Sequence, residues 1–160
     1  VGLHTNGYSL ARKVFFEIGE FTVDDTPEEL NGETVGKALL APHKSYLPVL
    51  RDILDKDVIK GLAHITGGGL LENIPRILPE NVSVEINRGT WNELPVFGLM
   101  QKLGNVDDKE MFRTFNMGIG MTIVCSENDK EQIVSNIKDL GEECFEIGKV
   151  IDGKQEVIIN

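Results

Sequence analysis

The chain has 160 residues, 41% of them hydrophobic, with 16 Lys and Arg against 26 Asp and Glu and a formal net charge of −10. This composition excludes a disordered or fibrous chain and is typical of one globular domain. The negative charge argues against a nucleic-acid partner, because nothing offsets the repulsion from phosphate over the whole surface.

Predicted helices and strands alternate along the chain. Helices are predicted at about 10–18, from 27 onward, and at about 35–40, 46–54, 70–78, 96–103, 107–110 and 127–140. Strands are predicted at 1–3, 59–65, 82–86, 119–125, 145–151 and 156–159, with Asp152-Gly153 as a hairpin turn between the last two. This order predicts an α/β (α+β) fold, a mixed sheet with packed helices, in a single domain spanning residues 1–160. Because the chain opens in a strand, we expect a longer natural protein.

The first of three glycine-bearing segments spans residues 2–10, where a strand end, a polar loop and a helix start fall together. Such a junction presents backbone N–H groups and polar side chains, here those of His4 and Asn6, at one edge of a sheet. These residues are candidates for ligand binding. The alternative is a tight turn at Gly7 with Asn6 or Ser9 capping the helix.

The second segment places Thr66 and three consecutive glycines, Gly67, Gly68 and Gly69, between a predicted strand and a predicted helix. Each glycine costs roughly 0.5–1 kcal/mol relative to alanine, which a plain turn rarely requires three times over. Bare glycine backbone lets a phosphate approach closely while N–H groups point at it. The segment is therefore a candidate phosphate or nucleotide site. The alternative is a flexible loop that allows close packing of strand and helix.

The third segment spans residues 114–121, where glycines lead into an apolar strand. This pattern favours a bulge or a close approach by another backbone. Asn116, just before the glycines, either binds a ligand or caps a turn.

Two histidines, His4 and His64, lie at the ends of predicted strands beside these loops. An imidazole there could bind a phosphoryl oxygen or transfer a proton near pH 7, although a lone histidine is usually structural. If the two strands are parallel neighbours, both loops share one sheet edge. His43, after Pro42 and before Lys44, is expected to be a surface loop residue.

Metal and membrane partners are not expected. The chain has no cysteine pair and no His-x-x-x-His spacing, so we predict no metal site. No uncharged apolar run approaches the ~20 residues that cross a bilayer. The two distant cysteines, Cys125 and Cys144, suit a reducing cytoplasm, which is the predicted location.

The three segments together resemble one family, the aminoimidazole ribonucleotide synthetases, also called phosphoribosylformylglycinamidine cyclo-ligases. The resemblance is carried by GLHTNGYSL at 2–10, AHITGGG at 63–69, ENIPR at 72–76, WNELPVF at 91–97 and MFRTFNMGIGM at 111–121. These motifs occur in family-like order and spacing along nearly the whole chain. One departure is His43, which stands where the family usually has Thr after proline.

The resemblance implies a ligase of de novo purine biosynthesis. Such an enzyme uses ATP to close the imidazole ring of formylglycinamidine ribonucleotide. It also implies that this chain is only the C-terminal domain, a three-layer mixed β-sheet with flanking helices. The absent N-terminal domain would then supply most ATP and Mg²⁺ ligands and the core of a homodimer.

The expected site combines the motifs at one sheet edge facing the N-terminal domain. His64, or else His4, is the expected catalytic residue. Binding of substrate or nucleotide is expected from Asn6, Thr66, Gly67, Gly68, Gly69 and Asn116. The alternative function is a non-catalytic ligand-binding or assembly domain of the same superfamily, of the formylglycinamidine synthetase, selenophosphate synthetase or hydrogenase-maturation type.

Overall fold

The computed structural model describes residues 1–160, which form two compact units. The first unit comprises Val1–Lys44, Ile65–Asn73 and Asn92–Gly120, and the second comprises Ser45–His64, Ile74–Trp91 and Met121–Asn160. The helices are α1 (Tyr8–Arg12), α2 (Val35–Leu39), α3 (Leu47–Leu54), α4 (Gly69–Asn73), α5 (Pro95–Gly104), α6 (Asp108–Thr114) and α7 (Glu127–Asp139). The strands are β1 (Ile59–His64), β2 (Val82–Ile86), β3 (Met121–Cys125), β4 (Gly148–Asp152) and β5 (Val157–Ile159).

The first unit is helical, and polar side chains mark where two of its helices, α2 and α6, begin. Thr34 accepts a hydrogen bond from the Lys37 N–H at 3.1 Å at the start of α2. Asp107 accepts one from the Lys109 N–H at 2.9 Å at the start of α6. These N-caps satisfy backbone donors that a helix leaves open. The unit's core consists of large side chains that are almost fully buried: Val14, Phe15, Phe97, Met100, Met111, Phe112 and Phe115.

The second unit contains both sheets. β1 and β3 form an antiparallel pair, while β2 lies between β4, antiparallel to it, and β5, parallel to it. A hydrophobic cluster covers one side of the β1–β3 pair; its buried members are Leu50 and Ile53 of α3, Val58, and Ile133 and Ile137 of α7. Half-buried side chains of both strands, including Leu62 and Ile123, pack against this cluster. Both helices are thus held by their apolar faces.

The predicted mixed α/β class is confirmed, with the strands divided between two small sheets. The amphipathic helix predicted at 127–140 is α7, and the half-buried strand at 82–86 is β2. The strand predicted at 59–65 is β1, which ends at His64 and is only partly buried. No helix of the structure is long and apolar enough to cross a membrane.

The predicted C-terminal hairpin is wrong. β4 and β5 do not pair with each other; each pairs with β2, on opposite sides. The chain between them passes the end of β2, where the Ser83 hydroxyl accepts hydrogen bonds from the N–H groups of Lys154, at 2.9 Å, and Glu156, at 3.3 Å. A Cβ on Gly153 would lie 1.9 Å from the Ser83 Oγ. This glycine therefore permits a close crossing rather than a two-residue turn.

Three further local predictions are wrong. Residues 1–3 form no strand, although Leu3 is buried. The helix predicted after Pro27 is only a 3₁₀ turn at Glu28–Leu30, which ends at Asn31 in a left-handed conformation. The helix predicted at 70–78 is α4 alone, because Pro75 begins a separate 3₁₀ turn after it.

Candidate functional site

The glycine loop of the first unit, residues 66–69, is held by a single side chain. Asn73 is 5% exposed, and its Nδ2 donates to the carbonyl oxygens of Thr66 at 3.3 Å, Gly67 at 3.2 Å and Gly69 at 2.8 Å. The Thr66 hydroxyl donates back to the Asn73 Oδ1 at 3.3 Å. Sequence reasoning placed Asn73 in a motif without giving it a role. Its helical position four residues after Gly69 was the signal that could have revealed the contact.

These bonds determine which way the loop's donors face. In a trans peptide the C=O and the following N–H point in opposite directions. Because the Thr66 and Gly67 carbonyls point toward Asn73, the N–H groups of Gly67 and Gly68 point away from it. Gly67 is exposed and Gly68 half-buried, so this face of the loop can meet a ligand. Two adjacent N–H groups on one side of a loop form an anion-binding concavity.

Two of the three glycines, Gly67 and Gly69, have different roles. Gly69 has φ +56°, and a Cβ there would lie 2.0 Å from the Phe112 carbonyl oxygen, so this position requires glycine for packing. At Gly67 the nearest atom to a Cβ would be the Asn6 Oδ1 at 3.7 Å, which is ordinary contact. The packing alternative thus accounts for Gly69, and the open position is Gly67.

The loop at residues 4–7 runs beside Gly67. Gly7, with φ +68°, is the N-cap of α1, and no side chain caps this helix, so the predicted cap by Asn6 or Ser9 is wrong. The Asn6 amide is instead the group next to Gly67. His4 is 2% exposed and has φ 57°, a left-handed conformation that costs a non-glycine residue about 1 kcal/mol or more.

His4 is covered by a segment that sequence reasoning set aside. The ring of His43 stacks on the ring of His4, with centroids 4.0 Å apart and an interplanar angle of 11°. The Tyr8 hydroxyl donates to the Leu39 carbonyl, which holds the same segment. His43 is exposed, as predicted, and its contact with His4 brings it to the loop at residues 4–7. No sequence signal could have revealed this, because stacking depends on tertiary structure.

Asn116 has both of its polar groups engaged. Its Nδ2 donates to the Gly2 carbonyl at 2.8 Å, and its Oδ1 accepts from the Gly118 N–H at 2.8 Å. At 1% exposure it ties the start of the described chain to the turn before β3. These contacts match the turn-forming alternative, and its ligand-binding role stays a prediction.

His64 is the last residue of β1 and belongs to the second unit. Its exposed ring meets the edge of the Tyr46 ring, with centroids 5.7 Å apart. The premise that its strand has a parallel neighbour is wrong, because β1 pairs only with β3, antiparallel, and residues 1–3 are not a strand. The chain does pass directly from His64 into the glycine-loop segment. The common site with His4 stays a prediction.

Arg113 forms an ion pair with Glu72 next to the glycine loop, and its Nη1 also lies 3.9 Å from Glu110 Oε2. Arg113 Nε lies 2.9 Å from Glu72 Oε1, and a Cβ on Gly68 would be 2.8 Å from the Glu72 Cβ. Both side chains are about half exposed, so the pair adds little stability. The arginine does offset a carboxylate that would otherwise repel an anion at the loop.

The whole chain, residues 1–160, matches the family described as AIR synthase related protein, C-terminal domain. The chain belongs to this family. The resemblance inferred from its motifs is therefore confirmed.

Curated relatives extend this result. The chain is 46% identical over 158 residues to a phosphoribosylformylglycinamidine cyclo-ligase of Caldanaerobacter subterraneus subsp. tengcongensis, covering 99% of this chain and 46% of that protein. It is 44% identical over 149 residues to the protein of the same name from Bifidobacterium longum subsp. infantis, covering 93% of this chain and 43% of that protein. The chain thus spans about half the length of the relatives that it matches.

A solved structure shows the same fold. The crystal structure of E. coli HypE, a hydrogenase maturation protein, superposes with a TM-score of 0.60 at 21% identity, covering 98% of this chain and 44% of that one. At this identity the likeness concerns the fold alone.

Proposed function

We propose that this chain is the C-terminal domain of an ATP-dependent cyclo-ligase that converts formylglycinamidine ribonucleotide to aminoimidazole ribonucleotide, with ADP and phosphate as products. The observation that carries the proposal is the 46% identity over 99% of the chain to a relative of that name. In this proposal an N-terminal domain completes the cytoplasmic enzyme. That domain would bind most of the ATP and Mg²⁺ and form the homodimer core.

The glycine loop suits a phosphoryl group. The Gly67 and Gly68 N–H groups face away from Asn73, and the neighbouring carboxylate of Glu72 is paired with Arg113. Such a loop offers donors to phosphate oxygens, and the carboxylate beside it is already paired with an arginine rather than open to a cation. We therefore assign the Mg²⁺ ligands to the N-terminal domain. Asn6, Thr66 and Asn116 complete the proposed binding residues, together with Gly69, which shapes the loop.

The reaction requires that the formyl oxygen of the substrate become a leaving group. The formyl oxygen takes the terminal phosphoryl group of ATP, releasing ADP, and the amidine nitrogen then attacks the formyl carbon and displaces phosphate. The proposed role of this chain is to hold the transferring phosphoryl group and to donate a hydrogen bond where oxygen charge grows. His64 is exposed and so is the first candidate donor, whereas His4 is 2% exposed and is the second.

The full-length protein tests this proposal. It should form aminoimidazole ribonucleotide from the substrate and ATP, and the 160-residue chain alone should not. Absence of the product would contradict the cyclo-ligase and support the ligand-binding or assembly alternative.

His64→Ala tests the catalytic assignment in the same protein. It should lower kcat by about 10²–10³, the usual cost of one lost donor to a developing oxyanion, with little change in melting temperature. Lys60→Ala is the matched control, because Lys60 lies on the same strand and its ion pair with Asp57 is exposed. A fully active His64→Ala enzyme would remove the role of His64 and leave the reaction itself standing.

A further inference from the structure

The two stacked histidines of the first unit differ in what they can reach. His4 is 2% exposed, so a ligand has almost no access to its ring. His43 is exposed and lies flat on His4, at a centroid distance of 4.0 Å and an angle of 11°. Of this pair, the imidazole that can meet a ligand is therefore the outer one.

Two contacts between the segment before His43 and residues 2–8 fix the position of His43. The Tyr8 hydroxyl holds the Leu39 carbonyl, and a Cβ on Gly2 would lie 2.7 Å from the Ala41 Cβ, so this segment runs tightly against residues 2–8. An exposed side chain normally loses rotamer freedom when it binds a ligand. The His43 side chain is already restricted by stacking on a buried ring, so it loses less rotamer freedom on binding, as expected for a preorganised binding group.

The His4–His43 stack and the glycine loop both contact the loop at residues 4–7. His4 and Asn6 belong to the same short loop, and the Asn6 amide lies beside Gly67. Two residues along a chain span at most about 7 Å. Within the same unit, the histidine stack thus lies at one end of this loop, and the exposed Gly67 of the glycine loop lies beside its Asn6.

We propose that His43 is a further ligand-binding residue, whose imidazole, held by stacking on His4, donates a hydrogen bond to a phosphoryl group of the ligand at the glycine loop. This inference rests on the proposed function for the identity of the ligand. The phosphoryl group belongs either to the ribonucleotide or to ATP, and both offer the same acceptor oxygens. In this assignment His4 is a positioning residue.

Equilibrium binding to the full-length protein tests the proposal. His43→Phe keeps a ring that stacks on His4 but removes the N–H donors, and His43→Ala removes both. Each variant should weaken binding of one ligand about tenfold by calorimetry, as expected for loss of one hydrogen bond to a charged group. Titrations with formylglycinamidine ribonucleotide alone and with ATP alone identify which phosphate is involved. Leu40→Ala, at an exposed neighbouring position, should bind both ligands like the wild type.

The outcomes separate this inference from the proposed function. If His43→Phe binds both ligands as tightly as the wild type, the ring only packs on His4 and the inference is overturned, whether or not the protein makes product. If His43→Phe weakens binding but the wild type makes no aminoimidazole ribonucleotide, the inference stands and the cyclo-ligase proposal fails. A wild-type protein that binds neither ligand would overturn both.

Discussion

The two units of the chain hold their backbones in different ways. In the first unit, buried amide side chains bind irregular backbone: Asn73 holds three carbonyls of the glycine loop, and Asn116 joins Gly2 to Gly118. In the second unit, strand ladders satisfy the backbone, and an apolar cluster between α3, α7 and the β1–β3 pair fixes the helices. The first unit therefore adds directional polar contacts to an apolar core, whereas the second relies on its strand ladders and its apolar cluster.

This difference suits what each unit presents. A loop that exposes N–H groups to a ligand cannot use those groups in a strand ladder, and here the Asn73 side chain adds hydrogen bonds to three of its carbonyls. The first unit should accordingly be sensitive to small changes in glycine and asparagine. The second should respond to changes in its apolar packing.

The largest effect should come from Gly69→Ala. The new Cβ would lie 2.0 Å from the Phe112 oxygen and 2.7 Å from the Phe115 oxygen, at a φ of +56°. Backbone atoms cannot move aside like a flexible side chain, so we expect a loss of about 4 kcal/mol in the free energy of unfolding, combining overpacking with the unfavourable φ. Urea unfolding of the protein measures it.

Gly67→Ala is the matched control in the same loop. Its nearest neighbour would be 3.7 Å away, so its stability should change by less than about 0.5 kcal/mol. Equal losses at the two positions would show that the loop as a whole, and not the packing of Gly69, requires glycine.

The second prediction compares one buried polar residue from each unit. Asn73→Ala leaves three carbonyls without their side-chain donor and should cost about 3 kcal/mol. Ser83→Ala in the second unit leaves the N–H groups of Lys154 and Glu156 without an acceptor, beside an intact ladder, and should cost about 1.5 kcal/mol. Urea midpoints of the two variants decide the order. A larger loss for Ser83→Ala would reverse the contrast between the units.

Elements with a strong local pattern could be predicted from the sequence. α7 and β2 follow from apolar spacing, and the starts of α2 and α6 follow from capping residues. The prediction of a C-terminal hairpin was wrong. β5 pairs in parallel with β2 instead, and these two strands are far apart in sequence. A turn signal such as Asp152-Gly153 does not show whether the strand after it pairs with β4 or with β2.

The candidate site, too, could be predicted only where its residues form a local pattern. The glycine loop stands out locally, and its neighbour Asn6 lies in a recognisable loop. The stack of His43 on His4 depends on how distant backbone segments are oriented. The contacts of Asn73 with the glycine loop are local, and helical spacing was a signal for them. Side-chain type alone even pointed away from His43, because a histidine between proline and lysine is typical of a solvated loop.

The smallest effect should be seen at Tyr46, in the apolar part of the second unit. The Tyr46 ring packs against the cluster around Leu50 and Ile133, and burial there, with a smaller contribution from the Glu142 carboxylate, raises the pKa of Tyr46 to about 12. An unfolded tyrosine has a pKa near 10. The stability that comes from keeping this hydroxyl protonated is therefore fully present below about pH 10 and is lost as the pH rises toward 12.

Tyr46→Phe keeps the ring but removes the ionisable group, so its free energy of unfolding should fall less than that of the wild type between pH 9 and pH 11, about the interval in which an unfolded tyrosine ionises. The difference should be modest, since the side chain is only half-buried and solvent screens its charge. Urea unfolding at both pH values measures it. Parallel pH profiles for the two proteins would mean that the hydroxyl meets water at the edge of the cluster, and that the apolar burial of the second unit does not extend over this group.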